Sequence, residues 1–132
     1  MVTRRSGMQG DAATTKQAGD AAEGLALRWL QASGLQLVER NYRLARGPRA
    51  RGAEIDLILR DTDGTLVFVE VRARAGQAHG GAAASVGAAK QRRLLRAAQH
   101  YLLRYAELPP CRFDVVAIDG VHIDWLQAAF SA

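Results

Sequence analysis

Four charged residues stand where an aliphatic strand pair would not be expected to keep them. Glu54 and Asp56 lie within GAEIDLILR (52–60), and Glu70 and Arg72 within LVFVEVR (66–72). Between them, Thr62-Asp63-Gly64 fits a three-residue hairpin loop, a type I turn followed by glycine in the left-handed region. That loop pairs Asp61 with Thr65 and sets Ile58 opposite Phe68, Asp56 opposite Glu70 and Glu54 opposite Arg72. Ile55, Leu57, Leu59, Val67, Val69 and Val71 then share the other face, to be packed beneath a helix. One face is core and the other is left for chemistry. A two-residue Asp63-Gly64 turn would send Asp56 and Glu70 to opposite faces and mix polar with apolar residues, so the longer loop is preferred.

Carboxylates directly opposed across a ladder have Cβ atoms about 4.5–5.5 Å apart, where like charges repel. Holding them there calls for a cation between them or a raised pKa. Oxygen-only donors suit Mg²⁺ or Mn²⁺, bound through one or two carboxylates with several waters retained. The pattern alone leaves a second reading open: exposed acids on a solvated sheet face, neutralised by Arg72 and Arg74.

The elements that must position these residues follow from periodicity. Residues 1–16 are polar and form a tail; 17–132 form a single domain. From Lys16 to about Ser33 a helix is expected, with Ala18, Ala22, Leu25, Ala26, Trp29 and Leu30 as its apolar stripe and Gly34 just beyond its end. A strand over Leu35–Arg43, a basic loop over Ala45–Gly52, and strands over Glu54–Arg60 and Thr65–Arg74 come next. A Gly- and Ala-rich connection (Gly76–Ala84) leads to a second helix, capped by Ser85 and running to about Glu107 before Pro109-Pro110. Its stripe is Leu94, Ala97, Ala98, Tyr101, Leu102 and Tyr105. Arg112–Ile118 is a strand, Asp119-Gly120 a hairpin turn signal, and Val121, Ile123 and Trp125 alternate after it. The order is α-β-β-β-α-β-β. Trp29 and Trp125 are expected in the core, and Asp114 either faces solvent or pairs with an arginine.

The chain of 132 residues carries 18 basic and 13 acidic side chains, a formal charge of +5. All of the bases but Lys16 and Lys90 are arginines. No acid occurs from Val71 to Ala106, while Arg72, Arg74, Lys90, Arg92, Arg93, Arg96 and Arg104 do; Arg40, Arg43, Arg46, Arg49 and Arg51 cluster upstream. A one-signed field of this kind favours a polyanionic partner, although a solvated surface has the same composition. A single cysteine, Cys111, excludes an intrachain disulfide and fits a reducing compartment. No zinc-ligand spacing, secretory signal or apolar run of membrane-spanning length is present, so a cytoplasmic protein is expected.

The segments GAEIDL, FVEVRAR, HGGAAASVGAAKQRRL and CRFDVVAID, in that order, resemble the YraN family of small bacterial proteins over most of the chain, from Gly19 onward. That family is similar in turn to the PD-(D/E)XK, restriction-endonuclease-like superfamily, which includes Holliday junction resolvases. The resemblance implies an α/β fold with a mixed central sheet flanked by helices. It implies metal binding by Asp56 and Glu70, a catalytic set of Glu23, Asp56, Glu70 and Arg72, and a supporting acid in Glu54. Glu23, in GDAAE (19–23), matches a helical glutamate of resolvase-like members; read alone it is an ordinary exposed helix acid.

Two positions depart from the pattern. Arg72 stands where the E-x-K motif has lysine, and arginine stays protonated and cannot act as a base, though it can stabilise developing charge. Ala53 separates Gly52 from Glu54, where the family commonly has glycine directly before the acid. Lys90 either substitutes for the missing lysine, if it reaches the site, or contacts phosphate or solvent. His79, beside Gly80-Gly81, is a loop residue or a DNA contact.

The function implied is a Mg²⁺- or Mn²⁺-dependent endonuclease acting on DNA, with Arg46, Arg49, Arg51, Arg74, Lys90 and Arg93 on the nucleic-acid backbone. Two alternatives stay open: a catalytically inactive nucleic-acid-binding module of the same fold, and a protein-interaction adaptor. A homodimer is a further expectation, since junction-cutting relatives commonly work as dimers.

Overall fold

The computed structural model describes residues 15–45, 52–73 and 86–131. Its elements are α1 (Thr15–Ala32), β1 (Gln36–Leu44), β2 (Ala53–Arg60), β3 (Leu66–Ala73), α2 (Ala88–Leu102), β4 (Cys111–Asp119) and β5 (His122–Phe130). The five strands form one sheet in sequence order. Neighbours run antiparallel except β3 and β4, which are parallel and joined through α2. The expected α/β architecture, a mixed sheet flanked by helices, is the one found. Among the described residues no helix is long and apolar enough to cross a membrane.

The β2–β3 hairpin has the expected register: Ile58 opposes Phe68 and Leu59 opposes Val67. Asp61 and Thr65 close the loop with an N–H to carbonyl bond of 2.9 Å, and Gly64 sits at φ 92°. That conformation is sterically open only to glycine without penalty, which is why this turn could be placed from sequence.

Both faces of the sheet are core, contrary to the expected division into an apolar and a chemical face. Leu57, Leu59, Val67, Val69, Val116 and Ile118 pack with Ala22, Ala26 and Leu30 of α1. Ile58, Leu66, Phe68, Phe113 and Val115 pack with Leu94, Ala97, Ala98 and Tyr101 of α2. The α2 side is aromatic: Tyr101 meets Phe68 edge-on, and Phe113 stacks between Phe68 and Phe130. A sheet with helices on both sides needs apolar residues at both parities of its inner strands.

Helix α1 meets the sheet along a narrow line of small residues. Ala22, Ala26 and Leu30 recur every four positions and are buried, whereas Leu25 and Trp29, expected in the same stripe, are exposed; Trp29 is 46% accessible. Two alanines in line let the helix lie close, and the bulkier flank is turned outward. Gly34, at φ 103°, ends the helix, with the Leu35 N–H returning to the Leu30 carbonyl at 3.1 Å.

Helix α2 stops at Leu102, five residues before the expected end and well short of the prolines. Leu103 is strongly exposed, so nothing apolar rewards another turn. Tight i→i+3 bonds from Leu103, Arg104 and Tyr105 close the end instead, and the Arg104 guanidinium donates to the Tyr101 carbonyl at 3.0 Å, satisfying a carbonyl the helix leaves open. At the other end Gly87 is the N-cap, without a side-chain cap bond; Ser85 lies outside the described residues.

The β4–β5 turn falls one residue later than expected. Asp119 pairs with His122 across Gly120-Val121, and Val121 is almost fully exposed rather than part of the strand. Further along, β5 bulges opposite Asp114, with Ala128 at φ 52°. Asp114 is fully buried, so the solvent-facing alternative is excluded. It accepts from Arg112 Nε at 3.1 and 3.2 Å, from Trp125 Nε1 at 2.9 Å and from the Ala128 N–H at 2.9 Å, while Arg112 also reaches Asp61 at 3.0 Å. Trp125 packs partly buried against the α1-side core.

Candidate functional site

The site grows from a fork in the sheet. Pairing of β2 with β3 stops at Leu57 and Val69. Beyond that point β2 continues only with β1, through Tyr42–Ile55, Arg43–Glu54 and Leu44–Ala53, while β3 continues with β4 to Ala73–Ile118. The expected Asp56–Glu70 rung is therefore not formed: Asp56 stands where the strands part and accepts the Val71 N–H at 2.8 Å. Glu54 therefore opposes Arg43, its ion partner at 3.6 Å, and not Arg72 as the extended register had placed it.

Strand alternation also breaks here. Ile55 belongs to the α2-side core together with Ile58, whereas Leu57 belongs to the α1 side. In an unbroken strand, residues three apart face opposite ways, so the expected grouping of Ile55 with Leu57 is overturned. The facing strand β1 is irregular at the same level. Asn41, between the Arg40–Leu57 and Tyr42–Ile55 pairs, has φ 52°. Asparagine tolerates this left-handed region better than most residues. Gly52 then brings the chain in against the Leu44 carbonyl, where a Cβ would lie 3.1 Å away. The extra Ala53 is accommodated as a buried residue beneath α2.

Four acids and four cations converge on the fork. Glu70 is 4% accessible, and its Oε2 takes both Arg72 Nη1 at 3.3 Å and Lys90 Nζ at 3.5 Å. Its Oε1 is buried and has no hydrogen-bond partner among the described residues. Glu23 and Glu54 are tied together by Asn41, whose Nδ2 donates to Glu23 Oε1 at 3.0 Å and Glu54 Oε2 at 3.2 Å. Arg40 lies 3.8 Å from Glu23. Glu23, Asn41, Arg43 and Glu54 line a surface cleft of about 220 Å³ together with Gly19 and Asp20.

Asp56 differs from its neighbours: among the described residues no basic side chain pairs with it. Burial, and then the charge of Glu70, push its pKa from 3.8 up to about 8; the Val71 N–H opposes the shift, and Glu23 and Glu54 add to it. The fold thus holds Asp56 as an acid that resists ionising until positive charge is supplied nearby.

A divalent cation fits these residues on two counts. The partnerless Glu70 Oε1 and the destabilised Asp56 carboxylate both lack what such an ion provides, and every donor is a hard oxygen. Among the described residues no group of three or more His, Cys, Asp or Glu side chains is placed to hold a metal ion. Two protein carboxylates with the other positions left to water and substrate is the usual arrangement for Mg²⁺.

Of the residues singled out from sequence, Glu23, Glu54, Asp56, Glu70, Arg72 and Lys90 are brought to one region. Arg93 is half-buried on α2, nearly one turn beyond Lys90. Arg46, Arg49, Arg51, Arg74 and His79 lie outside the described residues. Asn41 was missed. Its only signal was an asparagine inside the otherwise strand-like QLVERNYRL, and a strand pattern gives no reason to look for a bridging amide there.

A five-stranded mixed sheet between two helices, forked beside partly paired carboxylates, defines the class: an α/β protein with its polar cluster at one end of the sheet. The chain belongs to the family described as Uncharacterised protein family UPF0102, whose sequence pattern matches residues 22–118. This is the family to which the YraN resemblance pointed. It is 67% identical to a UPF0102 protein of Methylibium petroleiphilum over 119 residues, covering 90% of this chain and 98% of that one. Identity to a UPF0102 protein of Paracidovorax citrulli is 63%, over 90% of this chain and 86% of that one. A relative from Cupriavidus necator is 57% identical over 116 residues, 88% of this chain and 84% of its own. The matched span contains every residue of the fork.

Proposed function

We propose that the chain is a metal-dependent hydrolase of nucleic-acid phosphodiesters, with DNA as its substrate. The observation that carries this reading is the buried, partnerless Glu70 Oε1 beside the uncompensated Asp56. Phosphodiester hydrolysis adds a water oxygen to phosphorus as the bridging P–O bond breaks. The water's proton passes to solvent or a nearby carboxylate, the leaving oxygen takes one up, and negative charge builds on the non-bridging oxygens. A Mg²⁺ or Mn²⁺ ion held by Asp56 and Glu70 would supply charge neutralisation and acidify a bound water. Arg72 holds Glu70 in place and contributes positive charge. Glu23, fixed by Asn41 and Arg40, borders the same region and orients water or cation from the α1 side. The acid-free arginine run on α2 and the Arg46–Arg51 segment supply the field that gathers a polyanion.

The test is incubation of branched, single-stranded and duplex DNA with Mg²⁺ or Mn²⁺. Cleavage by the wild type, lost in Asp56→Ala and Glu70→Ala, is expected. No cleavage of any substrate, or cleavage that survives both substitutions, would sink the reading.

One observation favours a second reading, a nucleic-acid-binding module without catalysis. Arg72, which cannot release a proton, sits on the carboxylate where the related motif has lysine. That reading expects salt-sensitive binding without cleavage.

A further inference from the structure

We propose that Lys90 is a catalytic residue, supplying from α2 the ammonium group that the related strand motif carries two residues after its acid. The inference rests on the hydrolase reading above. Its basis is the position of Lys90. The chain has only two lysines, Lys16 and Lys90, and Nζ of Lys90 lies 3.5 Å from Glu70 Oε2. The same oxygen is 3.3 Å from Arg72 Nη1. A guanidinium from the strand and an ammonium from the helix thus share one carboxylate oxygen, and the other oxygen is left bare.

The two cations are not equivalent. Arg72 lies on the same strand as Glu70, two residues on and on the same face, where its planar group suits a fixed contact. It is the positioning residue. Lys90 is a compact charge on a flexible stem with three rotatable donors. Its side chain is 34% accessible, so it can exchange Glu70 for a phosphate oxygen without being dragged from a sealed interior. Its backbone, by contrast, is fixed: Leu94, Ala97, Ala98 and Tyr101 anchor α2 in the core. A mobile ammonium on a fixed base, beside the acid that would hold the cation, suits a donor to the non-bridging oxygen on which charge develops.

This differs from a backbone contact in what its loss does. Removing a phosphate-anchoring cation weakens binding and lowers the salt slope by about one unit. Removing a cation that acts on the attacked phosphate slows cleavage and leaves binding intact. The experiment compares the wild type with Lys90→Met, Lys90→Arg, Arg72→Lys and the exchange Arg72→Lys with Lys90→Arg. Single-turnover cleavage is measured in Mn²⁺ on the DNA that the wild type cuts. Affinity for the same DNA is measured by fluorescence anisotropy in Ca²⁺ over a salt series, and folding by thermal unfolding.

Lys90→Met is expected to slow cleavage by about a hundredfold, with affinity, salt slope and unfolding unchanged. The exchange is expected to recover to within about tenfold of the wild type, because it returns the ammonium to the strand. A readout independent of turnover is acylation of lysines followed by mass spectrometry. Labelling of Lys90 should fall when DNA is bound in Ca²⁺, with Lys16 as reference. Undiminished cleavage by Lys90→Met, a loss confined to binding with a shallower salt slope, or Lys90 labelling unaffected by bound DNA would each overturn the assignment. A wild type that cuts nothing overturns the hydrolase reading, and this one with it. A wild type disabled by Asp56→Ala but not by Lys90→Met overturns the assignment alone.

Discussion

The amide of Val71 donates to the side chain of Asp56 at 2.8 Å, not to a backbone carbonyl of the adjacent strand. An aspartate has taken the place of a ladder partner, and that substitution lets β2 and β3 separate. The fork is a local exchange of one hydrogen bond for another, so it costs little backbone satisfaction. It creates a gap between two strands of one sheet, and acids from both helix-covered sides border it.

Asp56 should make the metal-free protein less stable as pH rises. Its pKa is about 8 in the fold against 3.8 ordinarily, so between those values the native state binds more protons than the unfolded chain. Stability from this group is full below about pH 3.8 and is lost as pH rises towards 8. Asp56→Asn keeps a carbonyl oxygen for the Val71 N–H and removes the charge. At pH 8 it should raise stability by roughly 1–3 kcal/mol, with the gain vanishing near pH 4. Chemical denaturation at both pH values reads this directly. A variant no more stable than wild type at pH 8 contradicts the electrostatic account.

Mn²⁺ should raise the unfolding temperature of the wild type at pH 8 in a concentration-dependent way, since a ligand of the native state alone stabilises it by mass action. The shift should be absent in Asp56→Asn and reduced in Glu70→Gln. Equal shifts in all three proteins would place the ion elsewhere.

Asn41 combines a left-handed backbone with two bonds to carboxylates, and the two contributions separate by substitution. Asn41→Gly loses the bonds and relieves the backbone; Asn41→Ala loses the bonds and adds about 1–2 kcal/mol of backbone cost. Alanine should therefore be the more damaging change by that margin in urea unfolding. Should glycine be as harmful as alanine, the conformation at 41 is not under constraint.

Asp114→Ala should be severe, about 3–5 kcal/mol, because it strands Arg112, the Trp125 indole N–H and the Ala128 amide at once. Tryptophan fluorescence should report altered surroundings of Trp125 in the same variant. A cost below about 1 kcal/mol would mean that water readily replaces the carboxylate.

The legible parts of this fold were those set by local rules. Gly64 fixed the hairpin loop, and with it the register that joins Ile58 to Phe68. Alanines and leucines at helical spacing located α1 and α2, whereas β4, buried on both faces from Phe113 to Ile118, shows no alternation that could have placed its core residues. The parts that failed depend on what lies across a gap. Nothing near Trp29 says that the helix would approach along Ala22 and Ala26 and turn its tryptophan outward. Counting from the turn could not reveal that Ile55 and Leu57 face opposite sides of the sheet. The acids at the fork were visible as misplaced charges, but their amide bridge was not, because it joins residues 18 and 13 positions apart.

Asp114 and Glu70 occupy neighbouring rungs of the same pair of strands, Asp114 beside Val69 and Val115 beside Glu70. They form a comparison that the molecule carries within itself. Both acids are withdrawn from water to nearly the same degree. One has each oxygen bound, and the other keeps an oxygen idle. The sequence is therefore able to satisfy both oxygens of a buried carboxylate in this sheet. The oxygen one rung away has no such partner among the described residues.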